Sequence, residues 1–123
     1  LYSVGAELGT NPAGHVAFVT TEKEDVVRLE ELIAELEREV VMPGGFILPG
    51  ATPASGALDL ARAIVRRAER RCLALRRAGG LGNDQVGRWL NRLSLLLFVL
   101  GRFEEQGAGH QAQPARKARG RAV

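Results

Sequence analysis

The stretch from residue 61 to residue 71 reads ARAIVRRAERR and places five arginines and one glutamate beside an apolar stripe. At about 100° per residue, the small and apolar residues of this region fall on one side of a helix, with the heptad spacing of helix-to-helix packing. The stripe consists of Leu58, Ala61, Val65, Ala68, Cys72 and Leu75. Few aromatic residues and many Ala, Leu, Arg and Glu also favour helices. The sequence therefore predicts an all-α fold.

The charged residues of the same helix lie together on the flank of the stripe. Arg62, Arg66, Glu69 and Arg70 are spaced at i, i+4, i+7 and i+8. Planar guanidinium groups bind carboxylates and phosphates through paired hydrogen bonds, and Glu69 is close enough to orient its neighbours. The spacing alone leaves two interpretations open, a solvated arginine-rich face and a site for a polyphosphate or carboxylate.

Three further helices are predicted: one over residues 1–8, one from the capping-box pair Thr21 and Glu24 that ends before Pro43, and one from Asn83 or Asp84 to about Glu105. The second is acidic and the arginine helix is basic, so the two are candidates to pair within the protein or across subunits. The last helix is apolar on several faces, which indicates burial in an oligomer. Its apolar run between Arg92 and Arg102 is too short for a membrane span, so no membrane association is expected.

The remaining composition limits the possible functions. We expect one domain over residues 1–105, followed by a disordered basic tail over 106–123, which holds four basic residues and no acidic one. Such a tail is a weak signal for nucleic acid, and no nucleic-acid partner is expected. The single Cys72 indicates a reducing, cytoplasmic compartment. His15 and His110 lack nearby ligand-type residues, so no protein-held metal is predicted.

A loop rich in proline and glycine precedes the arginine helix. Residues 42–50 contain two prolines and three glycines, which exclude a regular helix. Phe46 and Ile47 lie in the middle of this loop. Taken without further context, they are expected to plug one end of the bundle.

Three blocks in register resemble the ATP:cob(I)alamin adenosyltransferases of the propanediol-utilisation type. They are GFILPG with PAS over residues 45–55, the arginine stretch, and WLNRLS with LLF over residues 89–98. The resemblance covers roughly residues 1–104. It implies an antiparallel, ferritin-like helical bundle that assembles as a homotrimer.

The resemblance also implies an activity, which is transfer of the 5'-deoxyadenosyl group from ATP to cob(I)alamin. Adenosylcobalamin and triphosphate are the products, and ATP is expected to act with Mg²⁺. Reduced cobalt attacks the ribose C5' itself, so no protein nucleophile is needed. A reductase that supplies reduced corrinoid is an implied partner, and an adenosylcobalamin-dependent acceptor enzyme is another.

Residue by residue, the resemblance assigns roles to both sides of the reaction. It implies that Phe46 lies against the lower face of the corrin and replaces the axial ligand of cobalt. The residues matched to the ATP site are Arg66, Arg67, Glu69, Arg70 and Asn91. Arg66 also matches a catalytic position, and Arg62 matches a salt bridge across the subunit interface.

Of the departures from the family pattern, two are larger than the replacements at Ala51 and Gly101. The family's Thr- and Gly-rich phosphate motif with its lysine has no counterpart in the chain, which is therefore expected to be an N-terminally truncated relative with about half of the nucleotide site. Leu95 stands where the family usually has aspartate after Arg-Leu-Ser. The alternative function is a non-catalytic relative that acts as a helical corrinoid-binding or assembly protein.

Overall fold

The structure, a computed structural model, describes residues 1–9 and 20–115, which form four helices. The helices are α1 (Tyr2–Leu8), α2 (Lys23–Glu37), α3 (Pro53–Arg77) and α4 (Gln85–Gly107). The predicted all-α fold is confirmed. Among these residues no helix is long and apolar enough to cross a membrane.

Helix α4 is the element against which the others pack. Asn91 of α4 contacts Glu69 of α3, whereas Gly101 lies near Asp59, so the two helices run antiparallel. α2 packs on another side of α4, which places the loop between α2 and α3 at the C-terminal end of α4. Helices α2, α3 and α4 therefore run up, down and up, with α2 parallel to α4 and α3 antiparallel to it.

Two clusters of buried apolar residues make up the core, and α4 contributes to both. The first cluster consists of Val4, Cys72, Leu81, Val86 and Leu90, with Val65, Ala68 and Trp89 packed against it. The second consists of Ile33, Val40 and Val99, with Leu36, Leu95, Leu96 and Phe98 around it. Val65, Ala68 and Cys72 belong to the stripe predicted on α3, and Leu95 meets α2 as an apolar contact.

The predicted start of α2 is wrong by one residue. The amide of Glu22 donates to the Asp25 carboxylate at 2.8 Å, so the helix begins with this pair rather than with Thr21 and Glu24. Thr21 is instead buried, because Asn83 donates to its carbonyl at 2.8 Å and to both carboxylate oxygens of Glu7. This tertiary contact removes Thr21 from its expected capping role.

The C-terminal ends of α2 and α4 lie close to the predicted positions. α2 ends at Glu37, before Pro43 as predicted, and Val40 is buried beyond the helix. α4 continues to Gly107, two residues past the predicted end at about Glu105. The acidic α2 and the basic α3 share no ion pair among the described residues, where the two ion pairs observed join Arg88 to Asp84 and Arg102 to Glu105.

The segment expected to be a disordered tail is partly described. Within 106–115, the amide of Leu48 donates to the Gln113 carbonyl at 2.8 Å, and the amide of Ala115 donates to the Phe46 carbonyl at 2.9 Å. Main-chain hydrogen bonds thus hold a segment that has little apolar surface to bury. The rest of the predicted tail, residues 116–123, lies outside the described residues.

Helix α3 begins with a reciprocal pair of hydrogen bonds between Thr52 and Ser55. Thr52 Oγ1 accepts from the Ser55 amide at 3.0 Å, and Ser55 Oγ accepts from the Thr52 amide at 3.0 Å. The pair satisfies donors that the first helical turn leaves without partners.

We expect Thr52→Ala to lower the free energy of unfolding by about 0.5–2 kcal/mol, the usual cost of losing an N-cap side chain. Thr52→Ser keeps the hydroxyl and should stay within about 0.5 kcal/mol of the unsubstituted chain. Urea unfolding followed by circular dichroism measures both. Equal losses in the two variants would contradict a capping role.

Candidate functional site

A groove of about 830 Å³ lies between α2, α3 and α4. Its lining includes six basic and three acidic side chains. The basic ones are Lys23, Arg66, Arg70, Arg76, Arg88 and Arg92, and the acidic ones are Glu30, Glu69 and Asp84. Because positive charge is in excess and converges from all three helices, the groove suits an anion with several negative charges.

Helix α3 supplies one wall of the groove with residues on its flank. Arg66, Glu69 and Arg70 line it, as their spacing predicted. Arg67 is exposed and does not line the groove, because it lies about 100° around the helix axis from Arg66. The structure therefore brings together three of the four α3 residues matched to the nucleotide site.

Arg62 lies one turn before these residues and has a different neighbour. Its guanidinium carbon is 5.2 Å from the centre of the Phe98 ring of α4. This distance is typical of a cation–π contact. Within one chain, Arg62 thus stacks on an aromatic ring at the edge of the second core cluster.

Asn91 on α4 faces Glu69 and completes the group. Its Nδ2 donates to Glu69 Oε1 at 2.9 Å. Its Oδ1 accepts from Arg92 Nε at 3.1 Å and from a second nitrogen of the same guanidinium. The amide of Asn91 is therefore held at both ends, and its orientation in the groove is fixed.

Sequence reasoning did not assign Arg92 a role. The signal that could have found it is its place directly after Asn91 on a helix whose neighbouring residues are mostly apolar. In the structure Arg92 lines the groove and is partly buried. Its hydrogen bonds to Asn91 link it to the predicted site residues.

Cys72 also borders the groove but is unsuited to nucleophilic chemistry. Burial raises the pKa of the Cys72 thiol above its ordinary value of 9.0, and the nearby Glu69 charge raises that pKa further. The thiol is therefore protonated at neutral pH, whereas the thiolate is the reactive form. Its packing in the first core cluster agrees with a structural role.

A second cavity, of about 710 Å³, lies at the other end of α4. The loop over residues 41–47, the end of α4 and residues 110–114 line it. Phe46 borders this cavity with 93 % of its surface exposed, so it does not plug the bundle as the sequence alone suggested. At 1.5 Å per residue, Asn91 and Arg102 are about 16 Å apart along α4, which separates this cavity from the groove.

Among residues 1–9 and 20–115, no group of three or more His, Cys, Asp or Glu side chains is placed to hold a metal ion. His110 borders the Phe46 cavity, and His15 lies outside the described residues. The acidic residues of the groove stand among arginines.

A family model described as cobalamin adenosyltransferase matches residues 1–104. This match covers more than half of the chain. The chain therefore belongs to the cobalamin adenosyltransferase family.

Curated relatives agree with this assignment. The chain is 35% identical over 114 residues to the corrinoid adenosyltransferase MMAB of Bos taurus, with 89% of this chain and 47% of that protein covered. It is 37% identical over 109 residues to a corrinoid adenosyltransferase of Citrobacter freundii, with 85% and 60% covered. The chain spans about half the length of the curated relatives it matches.

Solved structures show the same fold. One is a phenylalanine-to-alanine variant of the PduO-type ATP:corrinoid adenosyltransferase from Lactobacillus reuteri, complexed with cobalamin and ATP. It superimposes with a TM-score of 0.82 at 31% identity, covering 94% of this chain and 64% of that one. An arginine-to-lysine variant from the same organism, complexed with ATP, gives a TM-score of 0.79 at 32% identity, with the same shares covered.

The contact between Arg92 and Asn91 can be tested without any ligand. We expect a double-mutant cycle of Arg92→Ala and Asn91→Ala to give a coupling energy of about 0.5–1.5 kcal/mol in urea unfolding, the range of a net hydrogen bond. The control pair is Arg88→Ala with Asn91→Ala, because Arg88 pairs with Asp84 instead. Additive effects of the Arg92 and Asn91 substitutions would refute the contact.

Proposed function

We propose that the protein transfers the 5'-deoxyadenosyl group of ATP to cob(I)alamin, forming adenosylcobalamin and triphosphate. The observation that carries the proposal is the groove in which Arg66, Glu69, Arg70 and Asn91 converge from two antiparallel helices. Membership in the family and the complexes of its solved relatives with ATP and cobalamin support it.

In this proposal ATP occupies the groove. Arg66 and Arg70 bind the triphosphate and stabilise the charge that develops on it as the leaving group, since arginine forks bind phosphate oxygens strongly. Glu69 and Asn91, which hold each other through a hydrogen bond of 2.9 Å, contact the same nucleotide as hydrogen-bonding groups. ATP binds with Mg²⁺, for which the phosphates supply the oxygen ligands.

The chemistry needs orientation more than a reactive side chain. The cobalt of cob(I)alamin attacks C5' with its electron pair, the bond from C5' to the triphosphate oxygen breaks, and triphosphate leaves with the bonding electrons. The protonated Cys72 thiol takes no part. Holding two reactants in the right geometry lowers a barrier by itself, because the entropy of bringing them together is lost on binding.

Phe46 is the proposed contact for the corrinoid. Its exposed ring borders a cavity of about 710 Å³ and offers an apolar surface to one face of the corrin. A phenyl ring supplies no ligand atom to cobalt. Contact with the lower face would therefore keep the axial position free of a donor.

A homotrimer is the proposed assembly. Leu60 and Ile64 are exposed on the side of α3 that faces away from the groove, and Arg67 lies on the same side. Burial of this face against a neighbouring chain would bring Arg67 to the neighbour's nucleotide. The proposed salt bridge of Arg62 across the subunit interface would need a second contact, because Arg62 lies on the other flank of α3, against Phe98.

We further propose that the protein acts in the cytoplasm, receives reduced corrinoid from a reductase and delivers product to an adenosylcobalamin-dependent enzyme.

The test is to mix the chain with ATP, Mg²⁺ and chemically reduced cobalamin and to follow the absorbance change on forming the cobalt–carbon bond. We expect Arg66→Ala to lower kcat/KM for ATP roughly 10- to 150-fold, since a hydrogen bond to a charged group contributes about 1.5–3 kcal/mol. The control is Arg28→Ala, an exposed arginine of α2 outside the groove.

The outcomes separate the two candidate functions. Corrinoid binding without turnover would favour the alternative, a non-catalytic corrinoid-binding or assembly protein. The Phe46 cavity supports that alternative, because it lies apart from the groove and a corrinoid contact there does not require the groove arginines. Equal kinetics for Arg66→Ala and the unsubstituted chain would contradict the role of Arg66.

A further inference from the structure

The loop that carries Phe46 is bonded at its start, middle and end by α4 and the segment that follows it. We propose that Gln106, supported by Glu105 and residues 113–115, is a positioning residue that holds Phe46 in place for the corrinoid. The inference rests on the proposed function and adds residues that the resemblance to the family did not indicate.

Gln106 binds the start of the loop with both ends of its amide. Its Nε2 donates to the Glu39 carbonyl at 2.7 Å, and its Oε1 accepts from the Val41 amide at 2.9 Å. These groups lie just beyond the end of α2, where the main chain no longer makes helical hydrogen bonds. A single side chain thus satisfies a donor and an acceptor that the loop leaves open.

Glu105 binds the other end of the loop. It is 2 % exposed, and its Oε1 accepts from the Ala51 amide at 3.3 Å. Its second oxygen pairs with the buried guanidinium of Arg102, whose carbon lies 5.6 Å from the centre of the Phe98 ring. A buried ion pair that packs against Phe98 therefore anchors this end of the loop. The Gly50 amide also donates to the Asp59 carboxylate at 2.9 Å, which fixes the same end.

The middle of the loop pairs with the chain that follows α4. The Phe46 carbonyl accepts from the Ala115 amide at 2.9 Å, and the Leu48 amide donates to the Gln113 carbonyl at 2.8 Å. Ile47 faces Pro114 in this short antiparallel bridge. The main chain of Phe46 is thus directly bonded while its side chain remains exposed.

This arrangement prepares Phe46 for a ligand. Ordering a flexible residue on binding costs conformational entropy, and a loop fixed before binding avoids that cost. The corrin and the Phe46 ring must also lie at a defined distance from each other, because a displaced loop would let a donor atom reach cobalt. Gln106 controls this distance through the first bonded residues of the loop.

The test measures binding and does not depend on turnover. We expect Gln106→Ala to speed hydrogen exchange at the Val41 amide and to weaken binding of cob(II)alamin about tenfold, through the loss of two hydrogen bonds. The affinity for Mg²⁺–ATP, measured by calorimetry, should stay within about twofold, because the groove lies at the other end of α4. The absorbance and electron paramagnetic resonance spectra of the bound corrinoid should shift toward those of cob(II)alamin in water, which retains a lower axial ligand.

Two further variants make the test specific. Gln106→Glu keeps the acceptor for Val41 but loses the donor to Glu39, so about a threefold weakening is expected. Glu104→Ala changes an exposed neighbour on the same helix and serves as the control. A thermal melt of each variant identifies any general loss of folding.

Several results would overturn the inference. Faster exchange at Val41 with unchanged corrinoid affinity and spectra would show that the loop is held but that its position does not matter, and the proposed function would stand. Unchanged hydrogen exchange at the Val41 amide would also refute the positioning role. Equal weakening of corrinoid binding and ATP binding would refute it as well. Failure of the unsubstituted chain to bind corrinoid would overturn the proposed function and the inference with it.

Discussion

Burial of α4 on two sides is the constraint on which the rest of the structure depends. Val86 and Leu90 are fully or almost fully buried in the cluster shared with α3 and α1, and Val99 is buried in the cluster shared with α2. A helix that is apolar on more than one side must be covered on each of them. α2 and α3 therefore both lie against α4, and the groove is lined by all three helices.

The polar residues of both candidate sites are fixed by the same burial. Asn91 follows the buried Leu90 and meets Glu69 across the helix pair, so its position depends on the register of α3 against α4. At the other end of α4, the buried pair of Arg102 and Glu105 anchors the loop of Phe46. One helix thus sets the nucleotide side and the corrinoid side of the proposed reaction, and a shift in its register would disturb both.

The sequence could predict the features that depend on helical periodicity. The stripe of Val65, Ala68 and Cys72 and the grouping of Arg66 with Glu69 follow from spacing along one helix. Contacts between residues that are far apart in the sequence leave no pattern in the local sequence from which they could be predicted. Thr21 has the pattern of a helix cap, yet Glu7 and Asn83 bury it.

Residues 106–115 give a second example of contacts that the local sequence does not indicate. Its composition indicates disorder, but main-chain hydrogen bonds to the Phe46 loop do not depend on side-chain type.

An NMR titration of the labelled chain with Mg²⁺–ATP tests most directly whether the groove between α2, α3 and α4 binds the nucleotide. We expect chemical-shift changes centred on residues 66–70 and 91, at the wall of the groove. Shifts confined to the opposite side of α3, around Leu60 and Ile64, would contradict it.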